Sequence, residues 1–220
     1  MPDPAPLESL EIGVAPEDAE LSVILMHGLG ADGHDFADVA AMLAEAAKPA
    51  RWRFVLPHAG KLSVTLNMGM IMPAWYDIID LSHPRAVDWD TVAASQTQIE
   101  SLIDKEPAPQ LVLAGFSQGG AMALHVGLRH QPRLAGIATL SGYLLESEEH
   151  PVPAKQHDLP IGLFHGTDDE VVPLSAAETA RQSLAAADYS PTLRSYPGLP
   201  HSVSQEEIRD LFEWLTELSP

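Results

Sequence analysis

The sequence contains no cysteine. Disulfides, thiolate zinc sites and a cysteine nucleophile are therefore excluded, and the absence suits a reducing compartment. Positive charge is scarce. Twelve lysines and arginines stand against 31 aspartates and glutamates, which gives a formal net charge of -19. Nucleic-acid binding is not expected, because affinity for a phosphate backbone comes from Lys and Arg. An anionic membrane surface should repel the chain for the same reason. Long apolar runs are also missing. No stretch approaches ~18 uninterrupted apolar residues, so no membrane-spanning segment is expected. The stretch from Met1 to Gly13 has neither a basic residue nor a long apolar run, and does not read as a secretory signal. A cytoplasmic location is the expectation.

What the chain does have is 220 residues with 45% hydrophobic content, enough for one domain over residues 1–220 with a sizeable core. The residues through Pro6 are proline-rich and expected to fray. Short apolar runs predict strands at Leu21 to His27, Trp52 to Pro57, Leu111 to Ala114, Leu134 to Gly142 and Pro160 to Gly166. An edge strand is expected over Pro191 to Gly198. Helical spacing marks Phe36 to Ala47, Asp88 to Asp104, a segment from about Gly119, Leu174 to Ala187, and Ser204 to Leu218. Ser204 followed by Glu207 makes a capping box at the start of the last. The strands are apolar almost throughout rather than alternating. That pattern predicts a mostly parallel sheet with helices on both faces, an α/β architecture. Glu146 to Asp158 is polar and proline-containing, and reads as a surface excursion.

Gly115-Phe116-Ser117-Gln118-Gly119 closes one of the strands and opens a helix. It matches the nucleophile-elbow pattern G-x-S-x-G. A serine there occupies a sharp turn that lifts its hydroxyl out of the sheet, and the glycines let the turn pack closely. A serine hydroxyl needs a base, and in this arrangement an acid and then a histidine should follow at the ends of later strands. Asp168 and Asp169 follow one strand. His201 stands between the last strand and the last helix. An oxyanion hole would use the backbone N–H of Gln118 and one from the glycine-rich loop His27 to Gly33, at Leu29.

These segments together resemble the phospholipase/carboxylesterase family, which includes acyl-protein thioesterases. "HGLGADGHDF", "PAWYDI", "LAGFSQGGAMAL", "HGTDDEVVP" and "HSVSQEEI" occur in that family's order and span Leu25 to the C-terminus. The resemblance implies an α/β-hydrolase fold without a large lid and a metal-free, cofactor-free serine esterase. It implies a Ser117–Asp169–His201 triad, with Leu29 and Gln118 as oxyanion donors. It selects Asp169 over Asp168 by the spacing from His165-Gly166 and Val171-Val172-Pro173. Pro200 departs from the family, which usually has glycine before the histidine, and predicts a stiffer or slightly displaced loop.

The corresponding family segment to Lys61–Ile78 forms part of an acyl groove, so Met70, Met72 and Trp75, with Phe116, are expected to bind substrate. The alternative is a small hairpin whose methionines pack on its own core, with Trp75 and Tyr76 structural. The expected substrate is a small-molecule ester or an acylated molecule, and a homodimer is compatible with the sequence. A peptidase on the same fold is disfavoured, because the chain has no room for a lid or propeller domain. A non-catalytic binding protein is disfavoured by retention of the serine, acid, histidine and glycines.

Overall fold

Six strands lie parallel in one sheet and take a seventh, antiparallel strand at an edge. The computed structural model describes residues 7–81, 85–130, 134–154 and 158–220. The strands are β1 (Ser9–Gly13), β2 (Leu21–Met26), β3 (Trp52–Pro57), β6 (Gln110–Phe116), β7 (Gly136–Leu140), β8 (Ile161–Gly166) and β9 (Thr192–Tyr196). They run in the order β1-β3-β2-β6-β7-β8-β9. Only β1 is antiparallel, against β3. A separate hairpin pairs β4 (Lys61–Val64) with β5 (Met70–Pro73). The helices are α1 (Ala37–Ala46), α2 (Trp89–Ile103), α3 (Gln118–Gly127), α4 (Leu174–Ala186) and α5 (Gln205–Leu218).

Strand alternation sends successive side chains to opposite faces. From β2, Ile24 and Met26 join a core with α2, α3 and α4. Val23 and Leu25 join a second core with α1 and α5. Both faces are thus covered, which is why β2, β3, β7 and β8 are buried along their whole length. The expected strands and helices are all present, with ends shifted by a few residues. The capping box forms at Ser204 and Glu207. β1 had no apolar run to announce it, since only one face of this edge strand is covered. The fraying expected through Pro6, and residues 155–157 of the polar excursion, lie outside the described residues. Residues 146–154 carry no helix or strand. Among the described residues no helix is long and apolar enough to cross a membrane.

Candidate active site

β6 ends at Phe116 and α3 begins at Gln118, so Ser117 alone makes the turn between them. Its φ is 54° and its ψ -116°, a region that costs an L-residue about 1–3 kcal/mol. Ser117 N–H donates to Leu140 O of β7 at 2.8 Å, which anchors the turn. The glycines are required by space. A Cβ at Gly115 would meet the Gly119 carbonyl at 2.3 Å, and one at Gly119 would meet Met26 O at 2.3 Å. These are backbone atoms and cannot move aside.

Three side chains from distant parts of the chain join at this turn. Ser117 Oγ lies 3.0 Å from His201 Nε2, and His201 Nδ1 lies 2.7 Å from Asp169 Oδ2. A carboxylate only accepts, so Nδ1 carries the proton and Nε2 is left to accept from the serine. Asp169 is fixed in turn. Its Oδ1 accepts from the amides of Val171 at 2.9 Å and Val172 at 2.8 Å. Burial pushes its pKa up, but the hydrogen bonds from His201 and Val172 outweigh this and hold it below the usual carboxylate value. Beneath it, buried His165 donates from Nε2 to Val172 O at 2.7 Å, and burial keeps its imidazole neutral. Asp168 points elsewhere: it is exposed and accepts from Thr167 Oγ1. Pro200 leaves the loop in register, with its carbonyl accepting from Ser202 N–H at 2.7 Å. The Phe116 ring packs on the His201 ring, centroids 4.8 Å apart.

As the first residue of α3, Gln118 has no intrahelical partner for its N–H. The Leu29 N–H likewise has no backbone acceptor among the described residues. Both residues line the cleft with Ser117, where free amides can hold a negative oxygen. Neighbouring contacts hold the Leu29 loop. Gly30 N–H donates to Pro73 O at 2.9 Å, and Trp75 Nε1 donates to His27 O at 2.9 Å. His27 Nε2 accepts from Ala59 N–H, and its Nδ1 donates to Gly28 O. The Gln118 side chain closes the assembly by accepting from Trp75 N–H and donating to Tyr76 O.

This packing corrects the expected acyl wall. Trp75 is fully buried and serves as a brace for the loop, not as a surface of the cleft. Met70 is 58% exposed on the hairpin and does not line the cleft. Met72 does not line it either, its sulfur lying against Gly30. The cleft, of about 350 Å³, takes its apolar wall from Leu29, Leu66, Ile78, Leu81, Phe116 and Val171. Leu66 is placed by its N–H to Ile78 O at 2.8 Å, and that turn by Asp77, which accepts from Thr65 N–H and Oγ1. Leu81 follows Ile78-Ile79-Asp80 and Val171 precedes Val172, so neither stands out from apolar neighbours in the sequence. Their exposure, 52% and 53%, is a property of the fold, and no periodicity in the sequence announces it.

The match to a family follows from the whole chain. The phospholipase/carboxylesterase family profile matches residues 8–219. The chain belongs to the phospholipase/carboxylesterase family. Within it, the chain is 38% identical over 213 residues to acyl-protein thioesterase 1 of Neurospora crassa, covering 90% of this chain and 87% of that protein. It is 36% identical over 214 residues to acyl-protein thioesterase 1 of Yarrowia lipolytica, covering 89% and 91%. The crystal structure of Zea mays acyl-protein thioesterase 2 superposes with a TM-score of 0.84 at 25% identity, covering 96% of this chain and 98% of that one. The chain is therefore a hydrolytic enzyme with an α/β-hydrolase fold.

Two polar clusters outside the cleft concern this hydrolase's stability. Asp32, His34 and His58 place ligand-type atoms within 4.8 Å of one another. Two of these atoms accept backbone N–H groups: Asp32 Oδ1 accepts from His34 N–H, and His58 Nδ1 accepts from Gly33 N–H. They close the turn that enters α1. Glu207, at the start of α5, is fully buried with one carboxylate oxygen unpartnered. Burial pushes its pKa up to about 7, and the Asp169 and Asp210 charges add to the rise. The folded state therefore holds this proton more tightly than the unfolded chain. Between about pH 4.5 and 7 the unfolded carboxyl ionises first, so stability falls as pH rises, and above about 7 the penalty is constant. Glu207→Gln removes the charge. Its stability gain over the parent is expected to be larger at pH 8 than at pH 5, by up to about 3 kcal/mol. Urea unfolding at both values measures it, and an equal gain at each would show that the buried carboxyl carries no raised pKa.

Proposed function

We propose that this chain is a serine carboxylesterase that cleaves carboxylic esters and thioesters through an acyl-enzyme. The observation that carries this reading is the unbroken relay Ser117–His201–Asp169, at 3.0 and 2.7 Å, beside an apolar cleft. His201 takes the Ser117 proton as Oγ attacks the acyl carbonyl carbon. Asp169 keeps the imidazole in the accepting tautomer and offsets its charge once protonated. The amides of Leu29 and Gln118 hold the oxyanion. As the tetrahedral adduct collapses, His201 gives the proton to the departing alcohol or thiol. Water then attacks the acyl-serine by the same route, losing a proton to His201, and free Ser117 and the acid result. Protein groups carry every step, and no metal or cofactor is called for.

Thioesters are included because the relatives named above are acyl-protein thioesterases. Small-molecule esters and acylated molecules are both suitable substrates, since the scissile bond is the same. In this reading residues 1–220 act as one catalytic domain, and the lack of cysteine suits a reducing cytoplasm.

A series of p-nitrophenyl esters of increasing chain length tests the proposal. Turnover is expected, and its absence with every ester would overturn the esterase reading. Leu81 reports on the cleft wall. A buried methylene contributes about 0.8 kcal/mol, roughly fourfold in rate, to chains long enough to reach it. Leu81→Ala should therefore lower kcat/KM several-fold more on octanoyl than on acetyl esters. Equal losses on both would show that Leu81 only supports the fold.

A further inference from the structure

Arg85 is a cation in the cleft that forms no ion pair with a carboxylate among the described residues. It lines the same cavity as Ser117 and His201. Its Nη2 donates to Val171 O at 2.9 Å, and its guanidinium carbon sits 4.3 Å from the centre of the Tyr143 ring. Tyr143 is buried, with its hydroxyl 2.6 Å from that of Tyr76. The stem and plane of the guanidinium are thus held from two sides. Donors are left over: Nε is buried and has no acceptor among the described residues. A buried donor without a partner carries its full desolvation cost, so such groups are uncommon unless something else satisfies them.

Lys48, Arg51, Arg53 and Arg194 each lie within ion-pair distance of an Asp or Glu. Lys61, Lys105, Arg129, Arg181 and Arg209 form no such pair among the described residues either, but Arg85 is the one of these that lines the cleft beside Ser117 and His201. Two carboxylates share its cavities among the described residues. Asp35 is exposed and also lines the cleft, and Glu146 lines an adjoining cavity of about 300 Å³ that Arg85 shares. Glu146 is engaged by Ser183 Oγ at 3.1 Å. Among the described residues neither forms an ion pair with Arg85. A guanidinium presents its N–H groups as a planar fork that matches a carboxylate, and it does so best where water is partly excluded. The apolar wall of Leu66, Ile78, Leu81 and Val171 supplies that exclusion and fits a short hydrocarbon chain beside it.

We propose that Arg85 is a specificity residue that receives a carboxylate borne by the ester substrate, so that this enzyme selects short esters carrying one carboxylate over neutral esters of the same length. The inference rests on the esterase reading above. The carboxylate sits either at the far end of the acyl chain or on the departing alcohol, and the chemistry that Arg85 recognises is the same in both.

The test is a comparison of matched pairs. In one series, p-nitrophenyl esters whose acyl chain ends in a carboxylate are set against the same chains capped as methyl esters. In the other, acetate esters of hydroxy acids are set against those of the hydroxy amides. The quantity read is the ratio of kcat/KM within each pair, for the parent, Arg85→Gln and Arg85→Lys. A general loss transmitted through Val171 to the Asp169 loop lowers both members and cancels from the ratio. Arg85→Gln is expected to lower the ratio roughly 10- to 100-fold in one series, about 1.4–2.8 kcal/mol at 1.4 kcal/mol per tenfold. The series that responds identifies which side bears the charge. Arg85→Lys should recover part of the preference at low salt and lose it as salt is added, because a point charge lacks the fork. An unchanged ratio in both series, or a parent enzyme with no preference for the charged member, overturns the proposal. Should the parent hydrolyse no ester at all, it is the esterase reading that fails. Calorimetric titration of Ser117→Ala, with and without Arg85→Gln, then decides on Arg85. The probes are a carboxylate-ended acid and its neutral methyl ester. Arginine-dependent binding of the acid supports the proposal, and its absence overturns it.

Discussion

Replacing Ser117 with alanine is expected to lower kcat about 10⁶-fold, the scale seen when a serine nucleophile is removed from a working triad. The effect comes from one oxygen. Ser117 Oγ is the atom 3.0 Å from His201 Nε2, and no other serine hydroxyl contacts that imidazole among the described residues. The fold should be unaffected. Alanine keeps the Cβ of the turn, and the anchoring bond to Leu140 O is made by the backbone. The oxyanion donors survive as well, so a residual rate above that of water is expected. The measurement pairs single-turnover kinetics on a p-nitrophenyl ester with fluorophosphonate labelling and peptide mapping. The parent should be labelled at Ser117 and the variant nowhere. Labelling of the variant at a different serine would overturn the assignment, whatever its rate.

Asp169→Asn should lower kcat by roughly 10⁴, and Asp168→Asn by less than about tenfold. The two residues are adjacent, yet only Asp169 reaches His201. An asparagine at 169 can still accept from the Val171 and Val172 amides through its oxygen, so the loop geometry is retained. Its NH₂ group then faces His201 Nδ1 and makes that nitrogen the acceptor. The proton moves to Nε2, where the ring can no longer take one from Ser117. The loss is one of tautomer, not of packing, and should appear in kcat with little change in thermal stability. At position 168 the exposed side chain accepts from Thr167 Oγ1 and, among the described residues, forms no hydrogen bond with the relay. Measuring kcat for both variants on one short ester decides between them. The reverse order would place the acid one residue earlier.

Much of this site was legible because its constraints are local. The turn at Ser117 needs glycine two residues to either side, since a Cβ at each position would collide with backbone. That requirement is written into five consecutive residues. The short apolar strands were legible because both faces of the sheet are covered, which removes polar alternation. The order serine, acid, histidine was legible because each residue follows its own strand. Histidine identity was harder, with ten in the chain. His27 and His165 sit in similar glycine-adjacent positions, yet both are buried and neutral, holding backbone groups near the site.

By itself the sequence pointed to the parallel α/β sheet, the elbow and the chain order of a candidate acid and base, because strand length, turn chemistry and chain order are properties of contiguous segments; the choice of Asp169 over Asp168 came from the family resemblance. The tertiary structure alone decided what surrounds them. Trp75 and Met70 occupy the segment expected to line the cleft, but side-chain direction on a hairpin depends on what packs beneath it. His27 O and Gln118 claim Trp75 for the interior. The actual wall combines Leu66, Ile78, Leu81 and Val171, and the cation Arg85 joins it from the same side of the chain as Leu81. These residues follow no shared period, and nothing local distinguishes them from ordinary surface leucines, valines and arginines. They face one cavity because the parallel strands β3 and β8 end at the same edge of the sheet, which brings the segment between β3 and α2, with Leu66, Ile78, Leu81 and Arg85, to the loop after β8 that carries Val171.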